Sequence, residues 1–163
     1  MKIGLLVIDL QKAWYDEHSK ASMDMACNYI NGIIPLFKSK NLPVIYIKHI
    51  AEGRGVLPGS NGFEMLDQLI PDEEDPIIHK TYGNAFNKTN LKELVDESGV
   101  DTWVLAGYRA ENCILSTYRG ALDLDLTPVL LKNAVAGPIK ENVEFVESIS
   151  ESITYGILTK LLE

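Results

Sequence analysis

Three residues far apart in the chain have types that could act together: Asp9, Lys80 and Cys113. Cys113 follows the apolar run Thr102 to Ala106 and a glycine-containing loop, at the expected first turn of a helix. Helix N-termini present free N–H groups and partial positive charge, which favour the nucleophilic thiolate. The competing reading is a buried structural thiol. Asp9 ends an otherwise apolar run, where a carboxylate is costly unless bonded, paired or solvated. It reads as a general base that takes the thiol proton and passes it to a leaving group, or as a cap for the next loop. A magnesium-binding or phosphorylated acid would want a second acid nearby, and Asp9-Leu10-Gln11 offers glutamine instead. Lys80 closes the short run Ile77-Ile78-His79. It is a surface lysine if isolated, but beside Cys113 it would lower the thiol pKa and keep it ionised near neutrality. His79, adjacent on the same strand, should face the other way.

The other sulfur and imidazoles have plainer readings. Cys27 sits in helical register with Met23, Ile30 and Ile34 and is expected in the core. His18 starts a polar loop, and His49, near the end of a strand, is expected to line a pocket or cap a loop. No CxxC, clustered Cys/His set or suitably spaced His pair exists, so neither a metal nor a cofactor is expected. Two cysteines make no disulfide framework and suit a reducing compartment.

Positioning such residues requires a scaffold. Lys2 to Asp9 is almost wholly aliphatic, the pattern of a strand buried on both faces of a parallel sheet. A helix is expected from about Ser22 to Lys40 with a kink or break at Pro35. Pro43 to Ile50 reads as strand two. A Gly- and Pro-rich loop follows, then an amphipathic piece at Phe63 to Leu69. Pro76 to His79 is a short strand three, and Thr89 to Ser98 a helix stopped by Gly99. Thr102 to Ala106 is strand four, ended by Gly107. A helix runs from about Cys113 to Leu124, strand five covers Thr127 to Leu131, Pro138 opens another helix, and a last strand is placed at Thr154 to Leu158. Alternating strands and helices define an α/β fold with a mostly parallel sheet, in one domain over residues 1–163. Ligands of such sheets bind outside the carboxyl ends of the strands. Asp9, Lys80 and the Gly107–Cys113 loop all lie there.

The chain has 163 residues, 46% hydrophobic and 23% charged, with a net charge of −8. That balance suits an ordinary globular chain and repels polyanions, so nucleic acid is not expected as a partner. The apolar runs are strand-sized, too short for a bilayer. Met1-Lys2-Ile3 leads straight into a strand without leader features, so the expectation is a cytoplasmic protein.

Several segments together carry a family likeness: Leu5 to Gln11 followed by Trp14; Val44 to His49; Lys80 with Ala85-Phe86 and Thr89-Asn90-Leu91; and Val104-Leu105-Ala106-Gly107-Tyr108-Arg109-Ala110-Glu111-Asn112-Cys113-Ile114 followed by Ser116-Thr117 and Ala121. On these the chain resembles the isochorismatase-like superfamily of cysteine hydrolases over nearly its full length. The resemblance implies a three-layer, Rossmann-like fold with six parallel strands in order 3-2-1-4-5-6. It implies a triad of Asp9, Lys80 and Cys113, and a cis peptide joining Tyr108 and Arg109. The N–H groups of Arg109 and Cys113 would form an oxyanion hole. It implies cleavage of a small amide-type C–N bond through a thioester, the alternative being a non-catalytic, redox- or ligand-sensing member. The substrate is a small molecule, with Gln11, Trp14, Tyr82, Phe86, Tyr108 and Arg109 as expected pocket walls or, for the aromatics and Arg109, core or dimer contacts. A homo-oligomer is implied by resemblance alone.

Two departures stand out. The family loop usually reads Gly-Val-Ala-Thr where this chain has Gly107-Tyr108-Arg109-Ala110, placing an aromatic and a cation where small residues are usual. The Asp-x-His and further His of the nicotinamidase metal site are absent after strand two, which disfavours that activity.

Overall fold

The aliphatic run at the start of the chain forms β1 (Ile3–Ile8), whose six residues are all buried. The computed structural model describes residues 2–163. The remaining strands are β2 (Val44–His49), β3 (Ile77–Lys80), β4 (Thr102–Tyr108), β5 (Thr127–Ala136) and β6 (Ser152–Ile153). All pair in parallel, in the order β3-β2-β1-β4-β5-β6. Among the described residues five α-helices accompany them: α1 (Lys20–Ser39), α2 (Leu91–Ser98), α3 (Leu115–Asp123), α4 (Lys140–Ser148) and α5 (Tyr155–Leu162).

The two-residue alternation of the strands divides the core into two layers. Ile3, Leu5 and Val7 of β1 pack with Met23, Cys27, Ile30 and Phe37 of α1 and with Leu158 and Leu162 of α5. Leu6 and Ile8 face the other side, with Leu91 and Val95 of α2, Tyr118 of α3 and Val146 of α4. Burying each such side chain contributes roughly 1.5–3 kcal/mol. Trp103 of β4 is fully buried, and a Cβ at Gly4 of β1 would overlap its ring. Cys27 is only 1% exposed and belongs to the core, as its helical register indicates.

Several elements depart from expectation for definable reasons. α1 runs through Pro35 unbroken. Pro35 is exposed, while Ile33 and Phe37 on either side are 0% exposed and hold the helix down. β4 passes through Gly107 to Tyr108, and β5 extends to Ala136 across a register shift, with Asn133 at φ 68°. Phe63 to Leu69 is not an amphipathic helix: only a 3₁₀ turn at Asn61–Phe63 forms, and Phe63, Leu66 and Leu69 bury themselves from irregular backbone. Where a strand is expected at Thr154 to Leu158 the chain forms α5. The Thr154 side chain accepts the Ile157 N–H at its start, and Leu158 and Leu162, four apart, bury one face. Among the described residues no helix is long and apolar enough to cross a membrane.

Candidate active site

The carboxyl ends of β1, β3 and β4 bring three side chains together. Asp9 follows β1 in the left-handed region at φ 54°, a conformation that aspartate tolerates better than most residues. Its N–H donates to Ile47 O (2.9 Å), tying the turn to β2. Lys80 is the last residue of β3, in register with His49. His79 does face the other way, its ring edge-on to Phe63 at 4.9 Å. Cys113 lies in a π-helical turn, Ala110–Ile114, that precedes α3. It is thus two residues ahead of the regular helix rather than in its first turn.

Gly107 lets this loop approach β1. It sits beside Ile8 in the ladder at φ 129°, and a Cβ there would overlap the Ile8 carbonyl. The peptide bond between Tyr108 and Arg109 is cis. The Arg109 N–H has no protein acceptor among the described residues.

The Lys80 ammonium is the hub. It lies 2.8 Å from Asp9 Oδ2, 2.8 Å from His49 Nδ1, 3.0 Å from Tyr82 O and 3.2 Å from Cys113 Sγ. Asp9 and Lys80 are 2% and 1% exposed, so this is a buried ion pair. Asp9 Oδ1, also buried, accepts no hydrogen bond among the described residues. An oxygen of Asp9, a ring nitrogen of His49 and Cys113 Sγ lie within 4.8 Å of one another, a donor set that sequence spacing did not connect. All three gather round the lysine's own cation.

Electrostatics correct the expectation of a resting thiolate. Burial, followed by the charge of Asp9, pushes the Cys113 thiol up to about 12, against the opposing pull of Lys80. Asp9 is also raised, by burial first, with Lys80 holding it down. One cation compensates one anion, and the carboxyl is the stronger acid. The resting site is therefore a carboxylate–ammonium pair beside a neutral thiol. Burial and the neighbouring ammonium lower His49 to about 4, leaving its imidazole neutral with Nδ1 as acceptor from Lys80.

Beside this cluster opens a cavity of about 500 Å³ lined by Asp9, His49 and Cys113 together with Trp14, Tyr108 and Arg109. The last three line the cavity, one of the two placements the sequence left open for them. Tyr108 Oη is 3.0 Å from Ser19 Oγ, which fixes its ring. Gln11, Tyr82 and Phe86 do not line it. Gln11 is 0% exposed, and its amide is consumed by main chain: Oε1 accepts from His49 N (2.7 Å), while Nε2 donates to His49 O (3.0 Å) and Phe63 O (3.1 Å). It clasps β1 to β2 instead. Tyr82 is 43% exposed and contributes its carbonyl to Lys80, its hydroxyl turning outward to Lys88. Phe86 packs on the α2–α3 side of the core, where Thr117 Oγ1 accepts the neighbouring Ala85 N–H (3.1 Å).

The lining also includes Asp16, His18, Ser19, Arg54, Asn112, Pro138 and Ile139, which sequence reasoning did not place there. Arg54 had a faint signal, a lone cation within the glycine-rich stretch after β2; the others follow from the tertiary path of the loops.

The Isochorismatase domain model matches residues 4–147. The uncharacterized isochorismatase family protein YrdC of Bacillus subtilis (strain 168) is 30% identical over 138 residues, covering 83% of this chain and 74% of that one. An Arabidopsis thaliana protein named "Probable inactive nicotinamidase At3g16190" is 31% identical over 162 residues, covering 85% and 82%. The ureidoacrylate amidohydrolase RutB of Klebsiella pneumoniae subsp. pneumoniae is 26% identical over 137 residues, covering 83% of this chain but 55% of its own. Among solved structures, an isochorismatase-like hydrolase from Alkaliphilus metalliredigens superimposes with a TM-score of 0.91 over 100% of both chains at 21% identity, which shows the shared fold. With the domain matched over most of its length and the sheet order in agreement, this chain belongs to the isochorismatase family.

Proposed function

We propose that the protein is a cysteine hydrolase that cleaves a small amide-type C–N bond. The observation that carries this reading is the contact of one buried ammonium with Asp9 Oδ2 at 2.8 Å and Cys113 Sγ at 3.2 Å, at the wall of a ligand-sized cavity. The name of RutB, an amidohydrolase, supports the bond class.

The chemistry follows from the charges. As Sγ attacks the substrate carbonyl carbon, its proton moves to the unpartnered Oδ1 of Asp9, and Lys80 steadies the forming thiolate. The carbonyl oxygen becomes an oxyanion facing the N–H groups of Arg109 and Cys113. Asp9 gives the proton to the leaving nitrogen, the C–N bond breaks, and ammonia or a small amine departs from an acyl-thioester. Water then attacks the thioester. Asp9 takes its proton and returns it to Sγ, releasing the acid. His49 remains neutral beside the pair and keeps Nδ1 on the ammonium.

A panel of small amides assayed for ammonia release tests the proposal. Wild type should turn over at least one, and Cys113→Ser should lose turnover while keeping its circular-dichroism spectrum and melting temperature. Retained turnover in that variant refutes the nucleophile. A second reading, a ligand-sensing protein without turnover, draws on the neutral resting thiol and on the inactive relative's name, whereas redox sensing would call for an ionised thiol. Ligand binding with no hydrolysis across the panel would favour it.

A further inference from the structure

We infer that the substrate of this site carries a carboxylate next to its amide-bearing segment, received by the guanidinium groups of Arg109 and Arg54. The inference rests on the amide-hydrolase reading for the reaction but on separate residues for the binding. The chain has only three arginines, and two of them line the cavity that holds Cys113. This occurs in a protein of net charge −8. The overall field therefore repels an anion, and attraction has to be built locally.

Each arginine is held with its donors spare. Arg109 leaves the backbone four residues before Cys113 and is about one-third exposed, its side chain at 36%. Glu111 Oε1 accepts from Arg109 Nε at 2.5 Å, engaging one edge of the guanidinium. The same oxygen accepts from Asn142 Nδ2 of α4 at 3.1 Å, so the carboxylate is anchored from the far side. Burial alone would raise the Glu111 carboxyl, but its own backbone N–H, Arg109 and Asn142 outweigh that and lower it. Glu111 thus stays charged and aims the cation. The terminal Nη pair of Arg109 has no partner among the described residues. That pair is the fork that meets a carboxylate with two parallel bonds. Arg54 stacks over the Trp14 ring at 4.8 Å, which orients it without consuming its N–H donors, and it has no carboxylate partner among the described residues.

The acids of the lining do not cancel these cations. Asp9 is taken by Lys80. Asp16 Oδ1 accepts the His18 and Ser19 N–H groups (2.9 and 3.0 Å), serving the turn before α1. Glu111 pairs with Arg109 and the Asp16 carboxylate is spent on main-chain N–H groups, so among the described residues Arg54 is the cation of the lining that no carboxylate contacts directly. A family loop with small residues in place of Arg109 could not offer this contact. The departure from the usual loop is therefore read as specificity.

The test separates binding from turnover. Cys113→Ser protein is titrated with ω-monoamides of dicarboxylic acids two to five carbons long and with the matching neutral diamides, following Trp fluorescence and calorimetry. The acid should bind about ten- to hundredfold tighter than its diamide for at least one length, the range expected of charge-assisted hydrogen bonds. The preference should shrink as salt rises. Arg109→Gln and Arg54→Gln should each reduce the acid-to-diamide ratio. Glu111→Gln, a change to a positioning residue, should also reduce that ratio, whereas a merely structural defect would weaken both ligands alike. Equal affinity for acid and diamide, binding of neither, or a ratio unmoved by both arginine substitutions overturns the inference. Hydrolysis of diamides by wild type with no acid preference would overturn it while leaving the hydrolase reading intact. Tight acid binding without any hydrolysis would do the reverse.

Discussion

Replacing Lys80 by methionine should destabilise the protein in a pH-dependent way that reports on Asp9. The ammonium and carboxylate sit 2.8 Å apart with side chains 0% and 2% exposed, so their attraction is about 6 kcal/mol at an effective dielectric constant of 20. Methionine keeps the volume and removes the charge. Asp9 then either stays ionised and unpaired, which typically costs about 3–5 kcal/mol, or takes up a proton. Neutralising an ordinary carboxyl near 3.9 costs about 1.4 kcal/mol per pH unit, or about 4 kcal/mol at pH 7 and about 1.5 at pH 5. Protonation therefore caps the penalty. Wild-type Asp9 is itself raised by burial, so the wild type meets part of this cost and the cap is an upper bound. The difference opens above the wild-type folded pKa, grows as pH climbs, and levels off where the variant's unpaired carboxyl ionises. Urea unfolding should show Lys80→Met losing up to about 4 kcal/mol at pH 7 but far less at pH 5. The double variant with Asp9→Asn should recover most of the loss and be flat with pH. A loss under about 1 kcal/mol at pH 7, or equal losses at both pH values, would refute the assignment of a buried, mutually dependent pair.

Other outcomes follow from the same geometry. Asp9→Asn removes the charge that helps hold the Cys113 thiol up, leaving Lys80 as the thiolate's partner, so iodoacetamide should label Cys113 several-fold faster at pH 7 while amide turnover disappears. In wild type that labelling rate should climb through pH 10 without levelling, and buried Cys27 should stay unmodified in the folded protein. Gly107→Ala should cost about 2–3 kcal/mol or more in thermal or urea unfolding, since a Cβ meets the Ile8 carbonyl at a left-handed φ. The His49 imidazole should titrate by NMR near pH 4, with no protonation step between pH 5 and 8.

Much of this arrangement is legible in the sequence because it rests on patterns one strand or helix long. The aliphatic run before Asp9 announces a doubly buried strand, and Gly107 with Cys113 announces a loop at a strand end. The alternation that puts Lys80 inward and His79 outward needs only the period of a strand. What stays hidden depends on contacts between distant segments. Gln11 looks like a pocket residue beside Asp9, yet its amide is spent on the main chain of His49 and Phe63. The resting state of Cys113 depends on how deeply three groups are buried together, which no spacing encodes. α5 is missed because Thr154 and Ile157 suit a strand as well as a helix, and only the burial of Leu158 and Leu162 beneath α1 decides between them. Arg54 reaches the cavity through a loop path that its neighbours in sequence do not specify.

The cation on which the whole cluster converges hangs from the margin of the sheet. β3 is four residues long, outermost in the ladder, bonded along one side only to β2, and its Ile77 is 44% exposed. Edges of this kind open more readily than interior strands. Fraying there would withdraw the ammonium from carboxylate and sulfur alike while β1, β4 and the helices stay folded. Mild heat or denaturant should therefore silence the proposed amide turnover before it melts the protein, with this short edge strand acting as the fuse.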